Sequence, residues 1–324
     1  MNSIVFCGSI LTDVIKTLPA WPEKGMLVPI TGISRQIGGS VCNTGVDLKT
    51  LDPRLEVKAV GAVGDDDNGE FAVKSLEAKG LDCSLVRRVK GVPTSFTDVM
   101  TLTSTGERTF FNMHGADSTL DPDDIDVSRL GCELFHFGYL LLLDGMDAPD
   151  EEYGTQAARL LAKVQSAGIK TSIDIVSEKS ERFARVVRPA LKYTDYCVIN
   201  EVEGAMATGL PADDLKGICA KLFDLGIKER VVVHKPETGV TMDKSGVFTE
   251  VKSLNLPPGW IKGSVGAGDA FCSGVLYSIM KGHDAERMLR LGSCCAAANL
   301  AVTDSISGAK NYEETLSLDE RFER

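Results

Sequence analysis

The sequence of 324 residues has no long apolar segment and no excess of basic residues. Its longest apolar candidate, Phe135–Leu143, ends at Asp144, well short of the ~18 residues that a membrane span needs. Lys and Arg number 35 against 46 Asp and Glu, which gives a net charge of -11. This disfavours a dedicated nucleic-acid binder, whose affinity comes from basic residues on phosphates. A small phosphate ligand stays compatible, because a few backbone N–H groups and one helix end can hold it.

Cysteine pairs with disulfide or metal spacing are also missing. The nine cysteines are odd in number and scattered, without any Cys-x-x-Cys, and the only close pair is Cys294-Cys295. We interpret them as small buried apolar residues in a reducing compartment. The first residues lack the basic segment of a signal peptide and predict a strand instead. We therefore expect a soluble, cytoplasmic protein with no membrane or nucleic-acid partner.

What is present is a regular alternation of two segment types in a chain of ordinary globular composition, 43% hydrophobic and 25% charged. Short β-branched runs predict buried strands at Ile4–Ile10, Val57–Val63, Leu134–Phe137, Thr171–Ile175, Tyr196–Ile199 and Val231–Val233. Longer amphipathic segments predict helices at Asn43–Leu51, Phe71–Lys79, Glu151–Ala167, Ser180–Leu191, Ala212–Leu225 and Asp269–Met280. The alternation predicts an α/β fold with a mostly parallel sheet covered by helices on both faces. Ligands of such sheets bind at the carboxyl ends of the strands.

Two segments break this alternation. Residues 14–36 are rich in Pro and Gly, and residues 94–114 form a Thr-rich strand pair that turns at Ser104–Gly106. We expect antiparallel strands that together make a small second sheet covering a site, within a single domain spanning residues 1–324. The alternative is an edge extension of the main sheet.

The strongest chemical signal is the segment from Gly263 to Phe271, Gly-Ser-Val-Gly-Ala-Gly-Asp-Ala-Phe, which opens a helix. Residues without large side chains let backbone N–H groups converge on an anion at a helix N-terminus. Asp269 would be an ordinary N-terminal cap under one interpretation. The glycine run before it favours another, in which the carboxylate deprotonates a hydroxyl as a phosphoryl group arrives. The Walker pattern Gly-x-x-x-x-Gly-Lys-Ser/Thr is absent.

Three weaker segments are explained at least as well by local structure. Gly38-Gly39 opens a helix whose first turn carries Asn43, an amide that could bind sugar hydroxyls. The acidic turn within Gly61–Gly69 is typical of a helix start. Asn200 and Glu203 follow a strand and could hold a hydrated Mg²⁺, although helix capping accounts for both.

Taken together and in this order, these segments resemble the ribokinase (PfkB) family of carbohydrate kinases from Ile4 to about Thr303. The residues that carry the resemblance are Gly8–Asp13, Gly38-Gly39 with Asn43, Gly61–Gly69, Asn200-x-x-Glu203 and, above all, Gly266-Ala267-Gly268-Asp269. The resemblance implies a three-layer α/β/α sandwich with a β-sheet lid. It also implies transfer of a phosphoryl group from ATP, with Mg²⁺, to a sugar-type hydroxyl.

The resemblance also implies roles for individual residues. Asp269 would be the catalytic base, and the backbone of Gly266, Ala267 and Gly268 the anion hole. The acceptor would contact Asp13, Gly38, Gly39 and Asn43. The nucleotide would lie near Asn200, His234, Lys235, Gly239 and Gly268, with Glu203 near Mg²⁺, through water. Family members often pair through their lids, so we expect a homodimer.

The chain departs from the family pattern at two places. Gly263 stands where the family often has an Asp that organises a monovalent-cation site, so we expect weak potassium activation. In the nucleotide loop, His234 takes a Thr place and Pro236 a Gly place, which removes one backbone donor. Arg108, in the lid segment, is a candidate for binding an acidic or phosphorylated acceptor.

These observations predict an ATP-dependent sugar kinase. A nucleoside kinase on the same scaffold is the alternative enzyme, and a catalytically silent sugar-binding or regulatory protein is the alternative of another class. A nicotinamide dehydrogenase is disfavoured, because Gly-x-Gly-x-x-Gly does not follow the first strand.

Overall fold

Fifteen strands and ten α-helices occur in the computed structural model, which describes residues 1–178 and 180–324. The strands are β1 (Ser3–Gly8), β2 (Leu11–Leu18), β3 (Gly32–Gly38), β4 (Glu56–Gly64), β5 (Asp82–Val89), β6 (Phe96–Leu102), β7 (Arg108–Met113), β8 (Leu134–Leu140), β9 (Pro149–Asp150), β10 (Gly154–Thr155), β11 (Lys170–Ile175), β12 (Tyr196–Asn200), β13 (Arg230–Lys235), β14 (Thr238–Asp243) and β15 (Phe248–Lys252). The helices are α1 (Ser40–Leu51), α2 (Asp67–Ala78), α3 (Asp144–Asp147), α4 (Gln156–Ser166), α5 (Phe183–Leu191), α6 (Glu201–Thr208), α7 (Leu215–Asp224), α8 (Ala267–Lys281), α9 (Ala285–Leu300) and α10 (Tyr312–Arg321).

The main sheet has nine strands in the order β15-β14-β13-β12-β11-β8-β1-β4-β5. Seven of them, from β13 to β5, pair in parallel, and β14 is antiparallel to both of its neighbours. Parallel pairing follows from the helices between successive strands, since each crossover returns the chain to the same edge. The carboxyl ends of β1, β8, β11, β12 and β13 therefore lie along one edge of the sheet.

Both faces of this sheet are covered, which confirms the predicted three-layer arrangement. Successive strand residues alternate between two apolar clusters, so Val5 and Cys7 pack on one face while Ile4 and Phe6 pack on the other. Helices α4 to α7 contribute to the first cluster, and α1, α2, α8 and α9 to the second. All nine cysteines are unbridged and eight of them are buried, as expected for small apolar residues.

A separate four-stranded sheet has the order β3-β2-β6-β7. Two antiparallel hairpins, β2–β3 and β6–β7, are joined through parallel pairing of β2 with β6. It is not an edge extension of the main sheet. Residues 19–31 between β2 and β3 form no strand, because Pro19, Pro22 and Pro29 have no N–H to donate to a ladder.

Several boundaries differ from those predicted. The first strand ends at Gly8, and Ile10 lies in the short link to the small sheet. The predicted helix at Glu151–Ala167 begins only at Gln156, where the Thr155 hydroxyl caps it by accepting from the Ala158 N–H at 3.2 Å. Within the residues that the structure describes, no helix is both long and apolar enough to cross a membrane.

Candidate active site

Helix α8 begins at the carboxyl edge of the main sheet with Asp269 in its first turn. Its N-cap residue, Gly266, has φ 79°, a left-handed conformation that residues with side chains rarely adopt. A Cβ at Gly266 would also lie 2.7 Å from the Ser305 backbone oxygen. Glycine is therefore required for the loop to pack there. The first N–H groups of a helix have no intrahelical partner, so this end can bind an anion.

The Asp269 carboxylate accepts hydrogen bonds from three side chains. The Tyr139 hydroxyl donates to Oδ1 at 2.6 Å, the Thr44 hydroxyl to Oδ1 at 3.3 Å, and the Asn43 amide to Oδ2 at 3.1 Å. Asn43 and Thr44 lie on the first turns of α1, and Tyr139 lies near the end of β8. The structure thus places Asn43 against the predicted base itself.

The surroundings of Asp269 raise its pKa to about 7. Desolvation by burial is the largest cause and the negative charge of Asp174 the next, while the hydrogen bonds from Tyr139, Asn43 and Thr44 act in the opposite direction. A carboxylate with a pKa near neutrality is suited to accept a proton from a hydroxyl at physiological pH.

Asp174 is a buried acid that the sequence analysis did not single out. It lies in β11, one residue before the strand ends, and its Oδ2 is 3.5 Å from His136 Nε2. Its Oδ1 has no hydrogen-bond partner among the described residues. A Cβ at Gly138 would lie 2.1 Å from this Oδ1, so the glycine allows β8 to approach the acid. The signal in the sequence is an Asp within an otherwise apolar strand, Ile173-Asp174-Ile175.

Asn200 and Glu203 form a reciprocal cap at the start of α6, as the capping interpretation predicted. The Asn200 side chain accepts from the Glu203 N–H at 2.9 Å, and the Glu203 carboxylate accepts from the Asn200 N–H at 2.9 Å. Glu203 also accepts from the Ser177 hydroxyl at 2.7 Å. Burial is the main cause that raises its pKa to about 7. Both of its oxygens are thus engaged within the protein.

A cavity of about 710 Å³ opens beside the N-terminus of α8. The sequence-predicted residues Asn200, His234, Lys235, Ala267 and Gly268 line it, and most of its remaining wall is apolar. Its volume lies within the usual range for small-molecule sites, and a mostly apolar wall with a few polar groups suits a nucleotide. The apolar contributors include Leu254, Leu256, Ile261, Phe271, Ala296, Ala297 and Leu300.

His234 lies between this cavity and the helix start. Its ring is 4.7 Å from the Phe271 ring, centroid to centroid, and a Cβ on Gly268 would be 3.5 Å from His234 Cε1. Burial lowers the pKa of His234 to about 4, so the imidazole is neutral at physiological pH. Lys235 ends β13, and Pro236 begins the two-residue turn of the β13–β14 hairpin.

Gly239, which the resemblance places in the nucleotide site, does not line this cavity. It pairs with His234 across the hairpin and lies within β14. A Cβ there would be 3.1 Å from Phe271 Cζ and 3.3 Å from Leu289 Cδ2. This glycine therefore makes room for core side chains. The segment that the resemblance identifies as the nucleotide loop forms a tight hairpin.

The remaining predicted residues lie where the small sheet meets the main sheet. A Cβ at Gly38 would be 2.5 Å from Asp13 Oδ2, and one at Gly39, the N-cap of α1, would be 2.4 Å from the Ser9 carbonyl oxygen. Burial raises the pKa of Asp13 to about 6, against the lowering effects of a Thr97 hydrogen bond and the Arg108 charge. Gly38 thus permits close packing against this acid, and Gly39 permits close packing against Ser9.

Arg108 connects the small sheet to the loop that packs on the helix start. Its guanidinium donates a hydrogen bond to the Thr303 carbonyl. Its charge opposes the rise in the pKa of Asp13 that burial causes, and adds to hydrogen bonds from Ser307 and Ile306 that lower the pKa of Asp304. One cation therefore lies between an acid of the small sheet and an acid of the 303–308 loop.

The chain is similar to known proteins in both sequence and fold. The family model described as pfkB family carbohydrate kinase matches residues 1–311. An ATP-dependent ribose-1-phosphate kinase of Halopiger xanaduensis is 26% identical over 100% of both chains. A 5-dehydro-2-deoxygluconokinase of Clostridium perfringens is 27% identical over 83% of this chain and 79% of its own. The structure of Arabidopsis thaliana ribokinase complexed with ribose and ATP superposes with a TM-score of 0.81, at 20% identity and 98% coverage of each chain.

Proposed function

The chain belongs to the pfkB family of carbohydrate kinases, and we propose that it transfers the γ-phosphoryl group of ATP to a hydroxyl of a small carbohydrate, with Asp269 as the base. The observation that carries this proposal is the position of Asp269. It lies in the first turn of α8, next to a nucleotide-sized cavity, with a pKa near neutrality.

In this mechanism the nucleotide occupies the 710 Å³ cavity, with its base against the apolar wall and its phosphates toward the start of α8. Of the predicted anion hole, the Ala267 N–H donates to the Ser264 carbonyl oxygen at 3.3 Å. The N–H groups of Gly268 and of the next residue, Asp269, stabilise charge on the phosphoryl group in transfer. Asp269 accepts the proton of the acceptor hydroxyl. The acceptor oxygen then bonds to the γ-phosphorus while the bond to the departing ADP oxygen breaks.

The acids of the site fit a Mg²⁺ ion. The unpartnered Oδ1 of Asp174 is a free oxygen ligand, and the engaged carboxylate of Glu203 suits contact through water. When bound, Mg²⁺ would supply positive charge that neutralises the phosphates.

We place the acceptor on the other side of Asp269, near Asp13, Gly39 and Asn43, beneath the small sheet as a lid. The carboxylate of Asp13 is the acceptor of hydrogen bonds from sugar hydroxyls. Arg108 would favour an acceptor that carries a phosphate or carboxylate, because guanidinium binds either group in bidentate fashion.

The apolar side chains exposed on and beside the small sheet favour a homodimer. Most of the large apolar side chains that the described part of the chain exposes lie on or beside it: Trp21, Met26, Leu27, Ile30, Ile33, Phe110 and Phe111. Concentration of exposed apolar area in one region is typical of an interaction surface. Pairing of two lids would cover it.

The decisive experiment compares the wild type with Asp269→Asn in a coupled ADP-release assay. The acceptors are hexoses, ketoses, polyols, nucleosides, sugar acids and sugar phosphates. We expect turnover with a carbohydrate and a loss of about 10²–10⁴-fold in Asp269→Asn, with ATP affinity nearly unchanged by calorimetry. Asp213→Asn, an exposed acid in the loop before α7, is the matched control. Near-wild-type turnover of Asp269→Asn would contradict the proposal, and a preference for nucleosides would favour the alternative enzyme.

A further inference from the structure

We propose that Tyr139 is a positioning residue for the base: its hydroxyl holds the Asp269 carboxylate so that Oδ2 alone faces the acceptor hydroxyl. This inference rests on the proposed function of Asp269 and adds a residue to which the family resemblance assigned no role. Tyr139 lies near the end of β8, and its hydroxyl donates to Asp269 Oδ1 at 2.6 Å, the shortest of the three contacts to this carboxylate.

The hydrogen bonds leave one acceptor position on the carboxylate. Each carboxylate oxygen can accept about two hydrogen bonds. Oδ1 accepts from Tyr139 and Thr44, while Oδ2 accepts only from Asn43. The acceptor hydroxyl can therefore approach at the remaining lone pair of Oδ2 without displacing a protein donor. Three fixed donors on two different elements, β8 and α1, restrict rotation of the Asp269 side chain on a third element, α8.

The charged groups around Asp269 make these donors important for its ionisation. Asp174 of β11 raises the pKa of Asp269 as a like charge. The charge of Asp269 in turn contributes to the raised pKa values of Asp47 of α1 and Cys272, one turn further along α8. Its neighbourhood is thus acidic and partly buried, and both conditions favour the protonated form. Tyr139 opposes them with a hydroxyl that stays protonated, because burial and the nearby acids raise the pKa of Tyr139 well above its usual value.

Removal of the Tyr139 hydroxyl should raise the pKa of Asp269. Without the donor, the ionised form of Asp269 loses a hydrogen bond and its pKa rises. A hydrogen bond to a charged group changes the ionisation constant of that group by roughly tenfold. The acidic limb of the pH profile of kcat/KM therefore moves toward higher pH by about 1 in Tyr139→Phe. The loss of kcat/KM is largest below neutrality and shrinks toward pH 9.

The experiment measures kcat/KM for the best acceptor from pH 5.5 to 9.5 in four proteins. These are the wild type, Tyr139→Phe, Thr44→Val and Tyr196→Phe. Thr44→Val removes the longer contact to the same oxygen, so its shift is expected in the same direction and smaller. Tyr196→Phe is the matched control. It removes a tyrosine hydroxyl from the first residue of β12, which lies at the amino ends of the parallel strands, away from Asp269. The pH profile of this variant should be that of the wild type.

Two results would overturn the inference: a wild-type profile in Tyr139→Phe, or a loss of rate that is equal at every pH. The latter is what a purely structural role produces. The double variant Asp269→Asn/Tyr139→Phe separates this inference from the proposed function. If Tyr139 acts through the base, Tyr139→Phe has no further effect once Asp269 is replaced. If instead Asp269→Asn alone retains wild-type turnover, the assignment of the base itself is wrong.

Discussion

Substitution of Gly268 separates the phosphate-binding role of the α8 start from its structural role. Gly268 is a helical residue, and its Cβ would lie 3.5 Å from His234 Cε1 and 3.8 Å from His234 Nε2. These are ordinary van der Waals distances, so an alanine methyl fits. Alanine also favours a helix over glycine by about 0.5–1 kcal/mol. The folded protein should therefore be as stable as the wild type, or slightly more stable.

Activity, unlike stability, should fall in the Gly268 variants. The methyl of Gly268→Ala would occupy space between the helix start and His234, where the phosphates are proposed to lie. The two further methyls of Gly268→Val would block the backbone donors. Loss of one such donor typically costs about 10²–10³-fold in rate. We expect Val to reach that range and Ala to lose less.

The assay pairs ADP release and the KM for ATP with thermal unfolding. Gly266→Ala is the matched comparison, because φ 79° and a Cβ 2.7 Å from the Ser305 oxygen predict a loss of stability. If Gly268→Val loses stability and activity together, as Gly266→Ala should, the reasoning about phosphate access is wrong.

Three further predictions concern the site and the small sheet. The kcat/KM of the wild type should fall as pH decreases through about 7, the pKa of Asp269. Asp174→Asn should move this acidic limb of the pH profile to lower pH, because it removes a like charge. An unmoved limb argues against electrostatic coupling between Asp174 and Asp269. Sedimentation should show a dimer at micromolar concentration, and Phe110→Ser with Trp21→Ser should shift it toward monomer; a monomeric wild type would rule out the lid interface. Potassium should stimulate activity little relative to sodium or a bulky organic cation at equal ionic strength, since Gly263 brings no carboxylate to the monovalent-cation site. A several-fold effect of potassium would show that this cation site survives without the carboxylate.

The architecture was predictable because its signals are local. Val231–Val233 is apolar throughout and lies in β13, buried between helices on both faces. Helix α9 was not predicted, since small residues, Ala and Cys, fill its second half at Cys294–Ala298. Strands β14 and β15 were not predicted, because Thr, Gly and charged residues interrupt their apolar residues and neither has a continuous β-branched run like that of β13.

The site was predictable only where a motif marks it. The segment Gly266–Asp269 has spacing that indicates a helix start with an acid. Tyr139 and Asp174 have no such context, because each is one residue in an apolar strand, and their relevance arises from strands that meet in space. Gly239 shows the converse, since a glycine in a motif position serves core packing when the chain folds into a tight hairpin.

The parallel pairing of β2 with β6 has a consequence for how the small sheet can move. Seven residue pairs, from Thr12–Phe96 to Leu18–Leu102, join two hairpins that are far apart in sequence. Each hairpin is hydrogen-bonded to the other along this whole pairing, so any movement of one hairpin should carry the other with it. Changes of length are then tolerated at the free tips, within residues 19–31 and 103–107, but not at the base near Gly38 and Gly39. Relatives could therefore vary the tips, and with them the proposed partner surface, without disturbing the proposed acceptor site near Gly39.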